Sequence, residues 1–253
     1  MKITFLGTGT SQGVPVIGCD CEVCLSKNEK DKRLRASILV EDKGEVIVVD
    51  TGPDFRQQML RENVQHLDAV VFTHEHKDHI AGLDDVRAFN FKQKKDMEVY
   101  ATSETQVALK REFHYAFAEN PYPGVPKINL NTIANEAFNI GGVQLIPINV
   151  WHHKMPVKAF RIKNFTYITD ANRIDAEEIE KVRGSEVIVI NALRKTTHIS
   201  HFNLSEAIDL LNELKPKKAY LTHISHYLGT HDEVLKELPD YIEIAHDGLT
   251  IEC

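Results

Sequence analysis

No apolar run in the 253-residue chain approaches the ~18 residues that a membrane-spanning helix needs. Nor does a basic-then-apolar leader precede the strand-like Ile3-Thr4-Phe5-Leu6. Both absences lead us to expect a cytoplasmic protein with no membrane partner. Cysteine is scarce: four occur, and three crowd into Cys19-Asp20-Cys21-Glu22-Val23-Cys24. That is no disulfide framework, and clustering of this kind in a cytosolic chain points to metal. Basic excess is missing too, with 30 Lys and Arg against 37 Asp and Glu and a net charge of −7. Such a balance argues against a surface that coats itself with nucleic acid. An anionic substrate stays compatible, because bound metal ions offset acidic charge locally. There is no Pro/Gly-rich linker, tandem repeat or low-complexity tract, so one domain over 1–253 is expected.

The remaining composition, 42% hydrophobic and 26% charged, is that of an ordinary soluble globular chain. Apolar, β-branched segments at 2–6, 36–41, 45–49, 68–72 and 97–101 predict a first series of strands. A second series follows at 143–150, 157–163, 165–169, 186–190, 218–222 and 249–252. Glu41-Asp42-Lys43-Gly44 and Lys163-Asn164 read as tight turns between neighbours. Helical periodicity appears near 54–62, 104–112, 175–182, 205–214 and 231–237. Ser205 with Glu206 and Asp209 marks the start of one helix, and Lys215-Pro216 ends it. Two strand series, each followed by helices, imply two similar βα halves packed sheet against sheet. The expected fold class is α/β, a four-layer αββα sandwich of two mixed sheets flanked by helices.

Polar residues gather at the ends of these strands. Thr73-His74-Glu75-His76-Lys77-Asp78-His79 follows the apolar Ala69-Val70-Val71-Phe72 and concentrates imidazoles and carboxylates that no packing requirement asks for. His152 and His153 follow 143–150, Asp170 follows Thr166-Tyr167-Ile168-Thr169, and His223 follows 218–222. Neutral imidazole and carboxylate are the ligands that suit Zn, Mn and Fe. Asp50, in Val48-Val49-Asp50-Thr51-Gly52, reads either as an acceptor that orients a ligand imidazole or as a turn residue. The segment 113–126 holds Tyr115, Phe117, Tyr122 and three prolines. It is either a lid over a site or a surface loop anchored by its own aromatics.

The His-x-His-x-Asp-His run, the later single His, the Thr-Asp and the final Thr-His resemble the metallo-β-lactamase-fold hydrolases over essentially the whole chain. That resemblance implies two metals in one site. His74, His76 and His152 would hold one, Asp78, His79 and His223 the other, and Asp170 would bridge them. Preferring His152 to His153 rests on the following Lys154-Met155-Pro156-Val157. Paired metals lower the pKa of a shared water and polarise the substrate oxygen. The ligand set fits Mn or Zn without choosing between them.

Cys19-x-Cys21-x-x-Cys24 supplies three thiolates, one short of tetrahedral zinc, and Ile224-Ser225-His226 is placed to add the fourth ligand. With Gly7-Thr8-Gly9-Thr10-Ser11-Gln12-Gly13-Val14-Pro15, this narrows the resemblance to the phosphoribosyl 1,2-cyclic phosphate phosphodiesterase branch. Cys19, Cys21, Cys24 and His226 would then hold a structural zinc that pins the N-terminal loop beside His223. A redox role for the thiols is the rival reading. The same resemblance places His201 near the substrate phosphate as donor to the leaving oxygen, with His198 as a buttress. Arg56, Arg87 and Arg194 could meet phosphate but read more simply as surface or packing residues. The resulting expectation is a dinuclear phosphodiesterase acting on a small cyclic phosphate. A nuclease resembling the tRNA 3′-endonucleases is the alternative, without the long basic arm those enzymes use. A non-hydrolytic protein resembling the pyrroloquinoline quinone biosynthesis B family is another. A homodimer is compatible with the sequence but not required by it.

Overall fold

Apolar strands rich in β-branched residues, four neighbouring pairs of them joined by two-residue turns, form two sheets in a computed structural model that describes residues 1–253. The first half supplies β1 (Lys2–Gly7), β2 (Ser37–Asp42), β3 (Glu45–Val49), β4 (Ala69–Val71), β5 (Met97–Ala101) and β6 (Ile128–Thr132). The second supplies β7 (Phe138–Ile140), β8 (Val143–His152), β9 (Met155–Ile162), β10 (Phe165–Ile168), β11 (Arg173–Ile174), β12 (Val187–Asn191), β13 (Lys218–Thr222), β14 (Ile242–Ile244) and β15 (Thr250–Glu252). The sheet orders are β15-β1-β2-β3-β4-β5-β6 and β11-β8-β9-β10-β12-β13-β14, with β7 on β8. One strand crosses between the halves: β15, from the end of the chain, pairs antiparallel with β1. The helices are α1 (Glu22–Leu25), α2 (Phe55–Arg61), α3 (Lys77–Ile80), α4 (Arg87–Gln93), α5 (Ser103–Glu112), α6 (Ala176–Val182), α7 (Leu204–Leu214) and α8 (His231–Leu235).

Three apolar cores separate four layers, as the αββα expectation requires. Phe5, Ile38, Ile47 and Val71 of the first sheet meet Leu145, Phe160, Tyr167 and Val189 of the second between the sheets. Leu6, Val48, Val70 and Val99 pack outward on Phe55, Met59, Phe89 and Leu109 of the first helical layer. Ile148, Ile168, Ile190 and Leu221 pack on Ile179, Ala207 and Leu211 of the second. Residues alternate faces along a strand, so both faces of each sheet must be apolar, which is why the central strands read as unbroken hydrophobic runs.

Lys43 and Gly44, both with positive φ, turn β2 into β3 with Asp42 opposite Glu45. Lys163 does the same between β9 and β10, where Ile162 faces Phe165. Helix α7 begins one residue before its expected start: Asn203 accepts from Glu206 N–H, and the Glu206 side chain accepts from Asn203 N–H. The cap is therefore Asn203 rather than Ser205, and left-handed Lys215 ends the helix as expected. Sequence patterning missed β6, β7, β11 and β14, together with α1, α3 and α4. Each is short or only half-buried, so its apolar period is weak.

In the first sheet β3, β4, β5 and β6 run parallel; in the second β10, β12, β13 and β14 do. Open parallel sheets bind ligands outside the carboxyl ends of their strands. Asp50, His74, Asp170 and His223 all lie just past such ends.

Candidate metal centre

The loop after β4 and the first turn of α3 carry His74, His76, Asp78 and His79 to one edge of the sandwich, where β8, β10 and β13 deliver His152, Asp170 and His223. Gly52 makes room for this. A Cβ there would come within 2.2 Å of the Asp78 carbonyl oxygen, so the turn after Asp50 can lie against α3 only without a side chain. Asp50, Asp170 and His223 themselves have left-handed backbone conformations, with φ of 66°, 53° and 54°.

The rings of His74 and His76 stand 4.6 Å apart and those of His76 and His152 5.1 Å apart, forming one group of imidazoles. Asp78, His79, Asp170 and His223 form another, their ligand atoms all within 4.8 Å of one another. Asp170 faces both groups. Its Oδ2 lies 3.1 Å from His79 Nε2, its Oδ1 lies 3.2 Å from His223 Nε2, and it also clusters with His152 and His201. The expected ligand residues are thus brought together, with Asp170 between the two groups.

Hydrogen bonds decide which ring nitrogens face the centre. His79 Nδ1 donates to Asp50 Oδ2 at 2.7 Å. His152 Nδ1 donates to the Ser200 carbonyl at 2.9 Å. Thr73 Oγ1 lies 2.8 Å from Asp50 Oδ2 and 2.9 Å from His74 Nδ1. A hydroxyl has one proton to give, and it goes to the carboxylate, so His74 Nδ1–H must donate to Thr73. In all three histidines a proton sits on Nδ1 and Nε2 points inward, open to a metal ion or, where carboxylates are close, to a second proton. Nε2 of His74, His79 and His223 is buried without any hydrogen-bond partner. Orphaned lone pairs beside buried carboxylates are costly unless a cation accepts them, and this donor set fits divalent ions of the Zn or Mn type. Asp50 is therefore an orienting acceptor; the turn reading also holds, since its φ is what aims it.

Electrostatics follow from the same packing. Burial opposes a charged His79, but Asp170, Asp78 and Asp50 outweigh it and raise its pKa well above the usual imidazole range. Burial likewise opposes ionisation of Asp170 and Asp78, and the surrounding imidazoles win, holding both below the ordinary carboxylate range. His201, 7% exposed, is pushed down to about 2 by burial and by His223. It is neutral in the free protein. Its ring lies 4.5 Å from that of His152, and it groups with His152 and Asp170.

His153 has φ of 57° and is exposed in the β8–β9 turn, which selects His152 over His153. His198 accepts from Ser200 N–H and braces its own loop. Arg194 donates to the carbonyls of Thr196 and Thr197, and Arg87 pairs with Asp84, so both are engaged locally. In the 113–126 segment, Phe113 is buried and Tyr115 donates to Asp84, whereas Tyr122 is exposed. Sequence reading gave Thr73 no role. It also missed Asn191, whose side-chain amide brackets both backbone groups of Ala171 and so fixes Asp170. A β-branched hydroxyl directly before a ligand histidine was the available signal for Thr73; Asn191 offered none.

At the other cluster, His226 Nδ1 lies 3.2, 3.4 and 3.5 Å from the sulfurs of Cys19, Cys21 and Cys24. The Cys24 backbone N–H favours the Cys21 thiolate and lowers its pKa to about 6. Burial pushes the Cys24 thiol up to about 11, so a third thiolate there requires a neutralising cation. Three thiolates and one imidazole suit zinc. Thr10 N–H donates to the Ile224 carbonyl, and Ile224 N–H to the Thr8 carbonyl. These bonds lay the N-terminal loop against the residue after His223, as expected.

No helix is long and apolar enough to cross a membrane. A model of the beta-lactamase superfamily domain matches residues 45–224. A solved structure described as a new diphosphatase from the PhnP family is 39% identical, with a TM-score of 0.93, over 100% of this chain and 97% of that one. Zinc-bound PqqB from Methylobacterium extorquens is 18% identical with a TM-score of 0.80 over the whole of both chains, a likeness of fold. An octanoyltransferase of Porphyromonas gingivalis (strain ATCC BAA-308 / W83) is 38% identical over 98% of this chain. The chain spans about half the length of that curated relative, 51%. The resemblance read from the histidine run and the cysteine loop is therefore a true kinship, and this chain belongs to the β-lactamase superfamily and, within it, to the PhnP family.

Proposed function

We propose that this chain is a metal-dependent hydrolase of phosphorus esters, with a small phosphodiester or cyclic phosphate as substrate. The observation that carries the reading is Asp170, buried between two donor groups whose Nε2 lone pairs converge on it. In this assignment His74, His76 and His152 hold one divalent ion, Asp78, His79 and His223 the other, and Asp170 touches both. Mn or Zn there would supply Lewis acidity toward phosphoryl oxygens and a water that ionises near neutral pH. The protein's own part is to fix the imidazole orientations through Asp50, Thr73 and Ser200, so that Nε2 is the ligand position of each ring. His201, neutral and next to Asp170, can donate an N–H to an oxygen that gains charge as a P–O bond breaks. The Cys19, Cys21, Cys24 and His226 cluster holds a structural zinc.

The 39% identical diphosphatase cleaves at phosphorus by its description, which supports phosphorus chemistry over lactam or thioester hydrolysis. The name of the octanoyltransferase relative belongs to a protein twice as long and is not carried over. The test is hydrolysis of bis(4-nitrophenyl) phosphate by protein loaded with Mn or Zn. Turnover lost on chelation and restored by metal supports the reading. No cleavage by fully loaded protein refutes it. A panel of cyclic ribose phosphates, cyclic nucleotides and short RNAs then separates a small-molecule enzyme from a nuclease.

A further inference from the structure

A crevice of about 320 Å³ opens between α8, β14 and the turn before β15, a size that suits a small molecule. None of the residues that line it belongs to either metal cluster. Leu235, Leu238, Ile242, Ile244 and Leu249 form its apolar wall, and Ile242 and Ile244 are set in the edge strand of the second sheet. Lys30 reaches it from the segment that follows the cysteine loop. That segment is pinned to α8: Asp31 accepts from His231 N–H at 2.7 Å and from Ser26 Oγ at 2.6 Å, and Asn28 donates to Asp232 at 3.3 Å.

Two hydrogen-bond donors stand against this wall. Lys30 is exposed, and its ammonium pairs with no carboxylate. Of the two carboxylates on the rim, Glu243 is taken by Lys218 at 2.6 Å and Asp240 is exposed to water. His231 is 3% exposed, and its Nδ1 is buried without a hydrogen-bond partner. Orphaned N–H groups are rarer in folded proteins than under-used acceptors. The proton therefore sits on Nε2, the nitrogen that is not enclosed, and faces the crevice that the ring lines. The His246 ring, 6.1 Å from that of His231, donates from Nδ1 to the Asp247 carbonyl at 3.2 Å. It keeps a lone pair on Nε2 and adds no donor. Burial, with the charges of Arg33 and Lys30, holds both imidazoles neutral.

A metal ion in this crevice would meet one imidazole lone pair and the repulsion of an ammonium. Inorganic phosphate would use the two donors and leave the leucines against water. A purely apolar guest would leave the ammonium and the imidazole N–H without acceptors, which buried polar groups do not tolerate cheaply. One chemistry meets both halves of the lining. We propose that the crevice binds a small aliphatic carboxylic acid as its anion, the carboxylate accepting from Lys30 and His231 and the chain lying on Leu235, Leu238 and Leu249. This site is separate from the metal centre and stands without the hydrolase reading.

Calorimetry with acetate, butyrate, hexanoate and hexanol tests both ends of the ligand. Metal-loaded wild type is expected to bind the acids up to about fourfold more tightly per added methylene. Hexanol should bind at least ~10-fold more weakly than hexanoate. Carboxylates also bind metal ions, so the titrations are repeated with Asp170→Ala, which is expected to lack the metal pair and to bind hexanoate as the wild type does. Lys30→Met should erase the preference for hexanoate over hexanol, and Leu235→Ser should flatten the chain-length series. Both side chains are exposed, so the fold tolerates either change. Absence of hexanoate binding, binding lost with the metal pair, or a series unchanged in both variants overturns the site. Cleavage of bis(4-nitrophenyl) phosphate bears on the hydrolase reading alone, so the two can fail separately.

Discussion

Asp50→Asn isolates the orienting network with little change in shape. Asp50 is completely buried and accepts from Thr73 N–H, Thr73 Oγ1 and His79 Nδ1 at 2.9, 2.8 and 2.7 Å. Asparagine tolerates the left-handed backbone at φ 66° almost as well as aspartate, so the chain path is retained. With the amide oxygen toward Thr73 N–H, the new NH2 faces His79 Nδ1 and Thr73 Oγ1. His79 must then accept at Nδ1 and carry its proton on Nε2. Thr73, now an acceptor, turns its own proton toward His74 Nδ1, and that ring moves its proton inward as well. One substitution thus places N–H groups where two lone pairs stood. The opposite amide orientation sets NH2 against a buried backbone N–H, which costs about 1–3 kcal/mol. Loss of orienting partners of this type weakens metal affinity about 10–100-fold, or about 1.4–2.7 kcal/mol per ion. Competition with a chromophoric chelator should show both site ions weakened and the cysteine-bound zinc unchanged. Imidazole ¹⁵N shifts should report two inverted tautomers. Thr73→Val, which leaves the Asp50–His79 bond intact, should weaken only the ion on His74. Binding of both ions by Asp50→Asn within twofold of wild type, in protein that unfolds normally, would refute the tautomer argument.

Asp170→Ala should remove both ions of the pair and abolish turnover while elemental analysis still finds the cysteine-bound zinc; retention of one site ion would deny the bridging role. His201→Gln should slow a methyl phosphodiester, with its poor leaving group, about tenfold or more and a 4-nitrophenyl diester much less. Equal slowing of the two substrates, or loss of an ion, would assign His201 to the ligand set instead. His231, 3% exposed and outside both candidate metal clusters, has its pKa lowered to about 4 by burial and by Arg33 and Lys30. The unfolded chain takes up that proton near pH 6.5, so folded stability is complete above that value and is lost as pH falls toward about 4. Denaturant titrations from pH 7 to pH 4 should show a shallower decline for His231→Gln; identical slopes would remove His231 from the acid limb.

Much of the centre could be read from residue order because its ligands stand at the ends of strongly apolar strands, where fold and chemistry share one signal. β4 and the histidine run behind it, or β13 and His223, identify each other. The preference for His152 over His153 rested in the sequence on the residues that follow, and the turn geometry, with residue 153 at its tip, adds an independent reason for it. Asn191 and the Ser200 carbonyl act through contacts 20 and 48 residues away along the chain, and no local pattern encodes such distances. The burial of Lys158 was hidden for a related reason. A lone lysine in a strand reads as an exposed residue, and only the meeting of β8 and β9 with the 135 loop buries it. The misplaced cap of α7 is a smaller case: Asn203 and Ser205 are both good caps, and the reciprocal bond with Glu206 decides between them.

The left-handed conformations of Asp50, Asp170 and His223 carry a consequence for how such a protein can evolve. For a residue with a Cβ this conformation costs up to about 1–2 kcal/mol, and glycine would relieve it. Glycine at 170 or 223 should therefore give a chain that is easier to fold yet inert, the trade of activity for stability expected at strained functional positions. A lineage released from selection for turnover would drift toward these glycines first, keeping the sandwich and losing the centre.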